Sequence, residues 1–371
     1  MKFVVERDAL SAALVAVNAR ACGKMTIPIL ECVLLSAKDS KLYILAHWLD
    51  ACCSFELPAE VSAPGAIAVD ADKLCGLVNG FMKGAQVSIA AEKLQVEIKA
   101  GRSRYRLPGL PAADYPEPLA HENAVQFSVP AADLAALLGP PEVAMSAELT
   151  RRYLNGIYLH TTKDGLASCA TDGRNLVRVQ SGLKVPTFTP FILPRERISD
   201  LQSGLDKGDV ELECSPRLFS LTIGQRRYTT KLIDGEFPAY DRVTPERNEH
   251  AIIVTRIDLL SALQRLRVLL GEHNTIVMAW KEGAPTLTLA PHIGMDAADE
   301  QIESDGGSIP AGQFVTPASW LSALMSVMPY DEVRITFTDS TRPLRIEGMK
   351  DDAVLQLIMP TDFGQRSAQA A

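Results

Sequence analysis

The 371-residue sequence has no apolar run long enough to span a bilayer, and its opening, MKFVVERDAL, lacks the hydrophobic core of a signal peptide. A soluble, cytoplasmic protein with no membrane partner is therefore expected. The seven cysteines (Cys22, Cys32, Cys52, Cys53, Cys75, Cys169, Cys214) form no CxxC pair, their number is odd, and the last third of the chain has none. That supports neither a zinc site nor a disulfide framework; reduced core thiols are the expectation. No P-loop, GxGxxG, GxSxG or HExxH motif is present, and the six histidines (His47, His121, His160, His250, His273, His292) are scattered without partners at ligand spacing. No metal, cofactor or catalytic group is predicted. An excess of basic charge is missing too: 37 Lys and Arg against 45 Asp and Glu leave a net charge of -8. This excludes a protein that coats nucleic acid electrostatically, while leaving room for a confined basic surface.

What the sequence does have is a repeat. In FVVERDALSAAL, Phe3 and Val5 alternate as on a half-buried strand, Glu6 breaks the alternation, and Leu10, Ala13 and Leu14 take helical spacing. The same strand, turn and helix recur at Ile67 (IAVDADKLCGLV), Phe127 (FSVPAADLAALL), Phe191 (FILPRERISDLQ), Ile252 (IIVTRIDLLSAL) and Phe314 (FVTPASWLSALM). The six starts lie roughly 60 to 64 residues apart, a true internal period. Each fourth residue is Glu, Asp, Pro or Thr, suited to an N-cap or to the first helical position. Each helix is followed by strand-like runs, three in the best-defined units, so one unit reads strand, helix, three strands.

One such helix lacks enough sheet to cover it unless units pair. Pairing two by two gives three similar α+β domains, joined through the Pro-rich and polar stretches LPGLPAADYPEPLAHENA and DGEFPAYDRVTPERNEH. The boundaries are placed at 1–121, 122–249 and 250–371. Unpaired edge strands let consecutive domains join edge to edge and leave the chain's two ends for another molecule.

The polar helix faces carry bases: Lys24 with the first helix, Lys73 and Lys83 with the second, Arg152 after the third, Arg195 and Arg197 with the fourth, Arg256 and Arg265 with the fifth. If the helices line one side of a closed ring, modest positive charge faces inward and the acidic remainder disfavours binding elsewhere. Arg102, Arg104 and Arg106 in GRSRYRL are expected to share one strand face. Asp299, Glu300 and Glu303 in the third domain are opposite in sign to this edge near the end of the first, which suggests a head-to-tail contact between two molecules.

MKFVVERDAL, KMTIPIL, GRSRYRLPGLPAADYP, RRYLNGIYL, ATDGRNL, KLIDGEFPAYDRV and the late LIMP together resemble the bacterial DNA polymerase III beta subunit family, the sliding clamps, nearly end to end. The resemblance implies three similar domains per chain and two chains closed head to tail, with twelve helices around duplex DNA and no catalysis. It implies tethering of the polymerase III alpha subunit. It also implies a hydrophobic groove for short peptides of polymerases, the clamp loader and repair proteins. Carried over by motif, the groove lining is Tyr153 and Leu154; Thr171, Gly173, Arg174 and Leu176; Pro238, Arg242 and Val243; and Leu357, Met359 and Pro360. An apolar slot with a few polar rim groups is how a short linear motif is held.

The sequence departs from the family pattern in four ways. Gly173 is followed by Arg174 and Asn175 where His-Arg or Arg-Tyr is common, HWLD stands at His47, the loop after Leu270 is short, and after Pro360 the chain continues TDFGQRSAQAA. These changes fit an additional clamp copy with a different peptide preference. Two other classes stay open at this point: a repeat-built adaptor that binds peptides without encircling DNA, and a hydrolase whose carboxylates meet only in three dimensions.

Overall fold

The computed structural model describes residues 1–17, 27–247, 251–270, 274–292, 298–304, 310–339 and 342–361. Six times a strand ends on the residue at which the sequence breaks its alternation, and a helix begins on the next. Lys2–Glu6 leads into α1 (Arg7–Val17), Gly65–Asp70 into α2 (Ala71–Gly80) and Val125–Pro130 into α3 (Ala131–Leu138). Phe191–Pro194 leads through a 3-10 turn, Arg195–Arg197, into α4 (Ile198–Gln202); Ile252–Thr255 leads into α5 (Arg256–Leu266) and Gly312–Pro317 into α6 (Ala318–Val327). The choice left open by composition resolves as N-cap. Asp70 caps α2 by accepting from the Lys73 amide at 2.9 Å, and the Glu6 carboxylate accepts from the Ala9 amide at the same distance.

Three strands follow every helix, so the unit read from the sequence is the unit that folds; one extra strand, Glu60–Ala63, belongs to the first. Each long helix buries one stripe. In α1 it is Leu10, Ala13, Leu14 and Val17; in α5 Leu259, Ala262, Leu263 and Leu266. Each fully buried leucine contributes about 1.5–3 kcal/mol. That stripe, more than helix propensity, holds elements of ten or eleven residues together.

The first compact unit, Met1–Ala132 with Ser199–Leu232, is built on one antiparallel sheet of thirteen strands. Arg226–Lys231 pairs with Ala51–Pro58, in register from Arg226 opposite Phe55 to Thr230 opposite Ala51, which fuses strands of the second pair of repeats to those of the first. Ser103–Pro111 pairs along its length with Gln95–Ala100, but with Gly65–Asp70 only through Gly109, Leu110 and Pro111. Among the described residues, Ser103–Leu107 is thus hydrogen-bonded on one side only.

The second unit, Asp133–Ile198 with Ile233–Ala371, holds sheets of eight and four strands. Here Asn175–Gln180 pairs with Val354–Ile358, from Asn175 opposite Ile358 to Val179 opposite Val354. The expected edge-to-edge joining is therefore present in both units. In the four-stranded sheet Glu300–Glu303 is an edge strand, paired with Thr286–Pro291 on its inner side.

Candidate functional sites

Leu154, Leu176 and Leu357, far apart in the chain, meet in one buried cluster of the second unit with Cys169, Ile192, Phe237, Tyr240 and Leu355. Tyr153, Tyr158 and Ile233 pack against it, partly buried. The register explains the meeting: Leu176 lies directly opposite Leu357 across the strand pair, and Cys169 is on the strand beyond. Sequence reasoning missed five members. Leu355 was recoverable, because strand period two puts it on the face of Leu357, and the FPAY run offered two aromatics beside Pro238.

These aromatics form a stack. Phe237 lies on Tyr158 with centroids 4.7 Å apart and rings 2° from parallel, and Tyr158 lies on His160 at 4.8 Å. His160 Nδ1 donates to the Thr161 carbonyl at 3.4 Å, which leaves Nε2 to accept from the Tyr240 hydroxyl at 3.0 Å. Burial pushes the imidazole down and the Tyr240 phenol up, so both stay neutral and the pair is a plain hydrogen bond at ordinary pH.

The turn Thr171–Asn175, just before Leu176, is polar. Asp172 Oδ1 accepts from the amides of Arg174 (2.8 Å) and Asn175 (2.6 Å), and the Thr171 hydroxyl accepts from the Gly173 amide at 3.0 Å and donates to the Asn175 carbonyl at 2.7 Å. Gly173 takes φ +89°, where a side chain is strained, and its Cβ would meet the Arg151 guanidinium at 3.0 Å. The Met359 amide donates to the Arg174 carbonyl at 2.8 Å, fixing the end of the last strand against this turn. Met359 and Pro360 are half-buried; Pro238, Arg242 and Val243 are exposed and stand outside the cluster.

The eight bases assigned to an inner helical face divide into groups. Lys24 lies outside the described residues. Arg195 Nη1 donates to the Met145 and Ser146 carbonyls at 3.1 Å, and Arg256 Nε donates to the Tyr330 carbonyl at 3.1 Å. Arg7, at the same place in the first unit, does likewise to the Val78 and Asn79 carbonyls (3.0 and 2.5 Å). These three guanidinia follow the strand ends and satisfy carbonyls at or just beyond the neighbouring helix, a structural task. Lys73 pairs with Asp70 at 2.8 Å, and Arg265 with Glu300 at 2.6 and 2.8 Å. Arg197 is half-exposed. Lys83 and Arg152 are exposed and carry no ion pair among the described residues.

The two charged edges are modified similarly. Arg102 sits in the turn before its strand, so it does not share the face of Arg104 and Arg106 as expected. Those two converge on Glu97 of the adjacent strand together with Lys99, whose ammonium is 2.5 Å away. Hydrogen bonds from Lys99 and Arg104 hold the Glu97 carboxyl down at about 2. Beside this edge Phe81 and Tyr105 are in ring contact at 5.9 Å, and Met82 is 84% exposed. At the other edge Asp299 and Glu303 are exposed, while Glu300 is committed to Arg265, whose hydrogen bonds hold its carboxyl below the usual range. Just after α5, Val268 is 84% exposed. Sequence reasoning missed both apolar groups; VLL at the end of a helix was the available signal.

Three family models cover most of the chain. Residues 1–119 match the DNA polymerase III beta subunit N-terminal domain, 128–239 its central domain and 241–362 its C-terminal domain. The chain is 30% identical to the beta sliding clamp of Caulobacter vibrioides over 375 residues, covering 97% of this chain and 99% of that protein. It is 29% identical to the beta sliding clamp of Escherichia coli K12 over 372 residues, with the same coverage. Among solved structures, the Pseudomonas aeruginosa sliding clamp bound to griselimycin superposes with a TM-score of 0.91 at 26% identity, covering 98% of this chain and 100% of that one. Caulobacter crescentus pol III beta does so at 0.90 and 30% identity, covering 97% and 100%.

Proposed function

The chain belongs to the DNA polymerase III beta subunit family and is a DNA sliding clamp, and on that premise we propose how its own residues serve the task. Two copies close head to tail into a ring around duplex DNA, and the ring tethers the replicative polymerase through its alpha subunit. The role is topological and non-catalytic. The same ring, in the cytoplasm, receives short linear motifs of the clamp loader, other polymerases and repair proteins. Domain limits are set at 1–121, 122–249 and 250–371.

The observation that carries this reading is the sixfold strand, helix, three-strand unit, together with one half-paired strand in the second such unit and one in the fifth. Ser103–Leu107 of one copy and Glu300–Glu303 of the next can complete each other's hydrogen bonding. Arg104 and Arg106 then face Asp299 and Glu303, and Tyr105, Phe81 and Met82 bury against Val268 and its neighbours. A flat charged patch alone would gain little in water; apolar contact supplies affinity and charge supplies register.

For the inner face, Lys83 and Arg152 are the cleanest candidates, because their charge is not committed elsewhere. Arg195, Arg197 and Arg256 contribute field rather than contacts, and Lys73 and Arg265 are partly neutralised by their partners. For the groove, the cluster of Leu154, Leu176 and Leu357 supplies the apolar floor. Thr171, Gly173 and Arg174 form one rim; Pro238, Arg242 and Val243 form another, and Met359 and Pro360 close the end.

The test is retention on DNA. Loaded onto closed circular duplex, the protein stays bound through high salt and leaves once the circle is cut. Equal loss from closed and linear DNA would remove the ring reading and favour the adaptor. Lys83→Glu with Arg152→Glu is expected to shorten retention without changing the dimer mass.

A further inference from the structure

Beside the turn that carries Gly173 lies a hollow of about 430 Å³ whose polar lining is Ser146, Glu148, Asp172, Arg174 and Arg195. Its two acids are already satisfied. Glu148 accepts from Arg151 Nε at 2.9 Å and Nη2 at 2.8 Å, and Asp172 accepts two backbone amides and the Asn175 side-chain amide. Its two bases are not neutralised. Arg195 spends Nη1 on neutral carbonyls, and Arg174 is exposed with no carboxylate partner among the described residues.

What Arg174 does have is Trp320. Its guanidinium lies 5.6 Å from the ring centroid, which orders the side chain without cancelling its charge. Arg174 is also two residues from Leu176 of the apolar cluster, and its carbonyl holds the Met359 amide. The hollow and the apolar floor therefore share one strand end. A ligand that fills one passes the other.

Resting on the groove reading above, we infer that this hollow is a carboxylate-accepting subsite. A peptide whose apolar side chains enter the cluster sets an Asp or Glu side chain against Arg174, and Arg174 selects acidic motifs over neutral ones. The planar guanidinium held on an aromatic face suits a carboxylate better than lysine would, because a lysine ammonium neither stacks nor offers two parallel donors.

The experiment uses the full-length protein and C-terminally amidated heptapeptides with two apolar anchors, Leu and Phe. A single Asp is walked from one side of the anchors to the other, each peptide with its Asn counterpart, and affinity is read by fluorescence anisotropy. At one position Asp is expected to bind about fivefold tighter than Asn, an advantage that shrinks as salt rises. Because Arg174 is itself part of the rim, the readout is the Asp-to-Asn affinity ratio within each variant: Arg174→Gln brings that ratio to about one, and Arg174→Lys retains part of it. If peptides bind with no Asp preference anywhere, or the preference survives Arg174→Gln, the subsite is refuted while the groove stands. The Asn peptides are also measured with a free C-terminal carboxylate: if these gain affinity and no Asp peptide does, the terminal carboxylate is the ligand and the side-chain assignment is wrong. If no peptide binds, or if peptides bind equally well to Leu176→Ala, the groove reading fails and the subsite with it.

Discussion

Glu347 is the residue at which removing one charge should be felt most. Its side chain is 0% exposed, yet its carboxylate accepts from Arg345 Nε (2.9 Å) and Nη2 (2.6 Å), from Arg247 Nε (2.8 Å) and from Arg334 Nη1 (3.4 Å). Arg345 Nη1 donates to the Pro245 carbonyl at 2.7 Å and Arg247 Nη2 to the Met349 carbonyl at 3.1 Å. The network thus ties Pro245–Arg247 to the strand Leu344–Gly348, a few residues after Tyr240 enters the apolar cluster. Glu347→Gln keeps the shape and removes the negative charge. Arg345 and Arg334, 8% and 11% exposed, then face a neutral amide that can itself donate.

Breaking a buried pair from one side costs about 3–5 kcal/mol, because the surviving charge has no solvent to relax into. For a cooperative unit of this size that is a fall in unfolding temperature of about 10 °C. Arg247 is 42% exposed, so Arg247→Ala should cost about 1 kcal/mol or less. Chemical denaturation gives the energies, and amide hydrogen exchange localises them: Glu347→Gln should accelerate exchange in 344–348 and 240–247 before it does so in the first unit. An unfolding free energy within 1 kcal/mol of the parent, or equal effects of the two substitutions, would refute the argument that burial sets the magnitude.

The protein's solution mass should be about twice 40.2 kDa, and Arg104→Glu with Arg106→Glu should shift it to the monomer value in sedimentation at low micromolar concentration. A dimer that survives that double reversal would move the interface away from this edge. Leu176→Ala with Met359→Ala should abolish binding of polymerase-derived peptide and leave the dimer mass unchanged; retained affinity would detach these residues from the groove. Glu97 should titrate near 2 against an ordinary 4.5. Its depressed value means that the stabilisation it gives is present above the unfolded value and is lost as pH falls through about 2. A carboxyl carbon titration by NMR reads this directly, and Lys99→Ala should move the midpoint upward.

The repeat and the fold class were legible in the amino-acid sequence because their signals are local. Alternation of period two, a capping residue, then helical spacing all fit within a dozen residues, and six copies leave little freedom in where a strand stops. The groove was half legible: resemblance supplied Leu154, Leu176 and Leu357, but Ile192 belongs to the cluster because its strand pairs with Gly156–Thr162, and Phe237, on no strand, because it stacks on Tyr158.

Charge was the least legible. Arg195 and Arg256 read as bases on a polar helix face, and so does Arg152. The carbonyls that occupy the first two come from residues 50 and 74 positions away. A side chain's period places it on a face, which the sequence alone can determine. Whether that face meets a carbonyl, a carboxylate or water depends on packing between elements, and only the tertiary structure decides that.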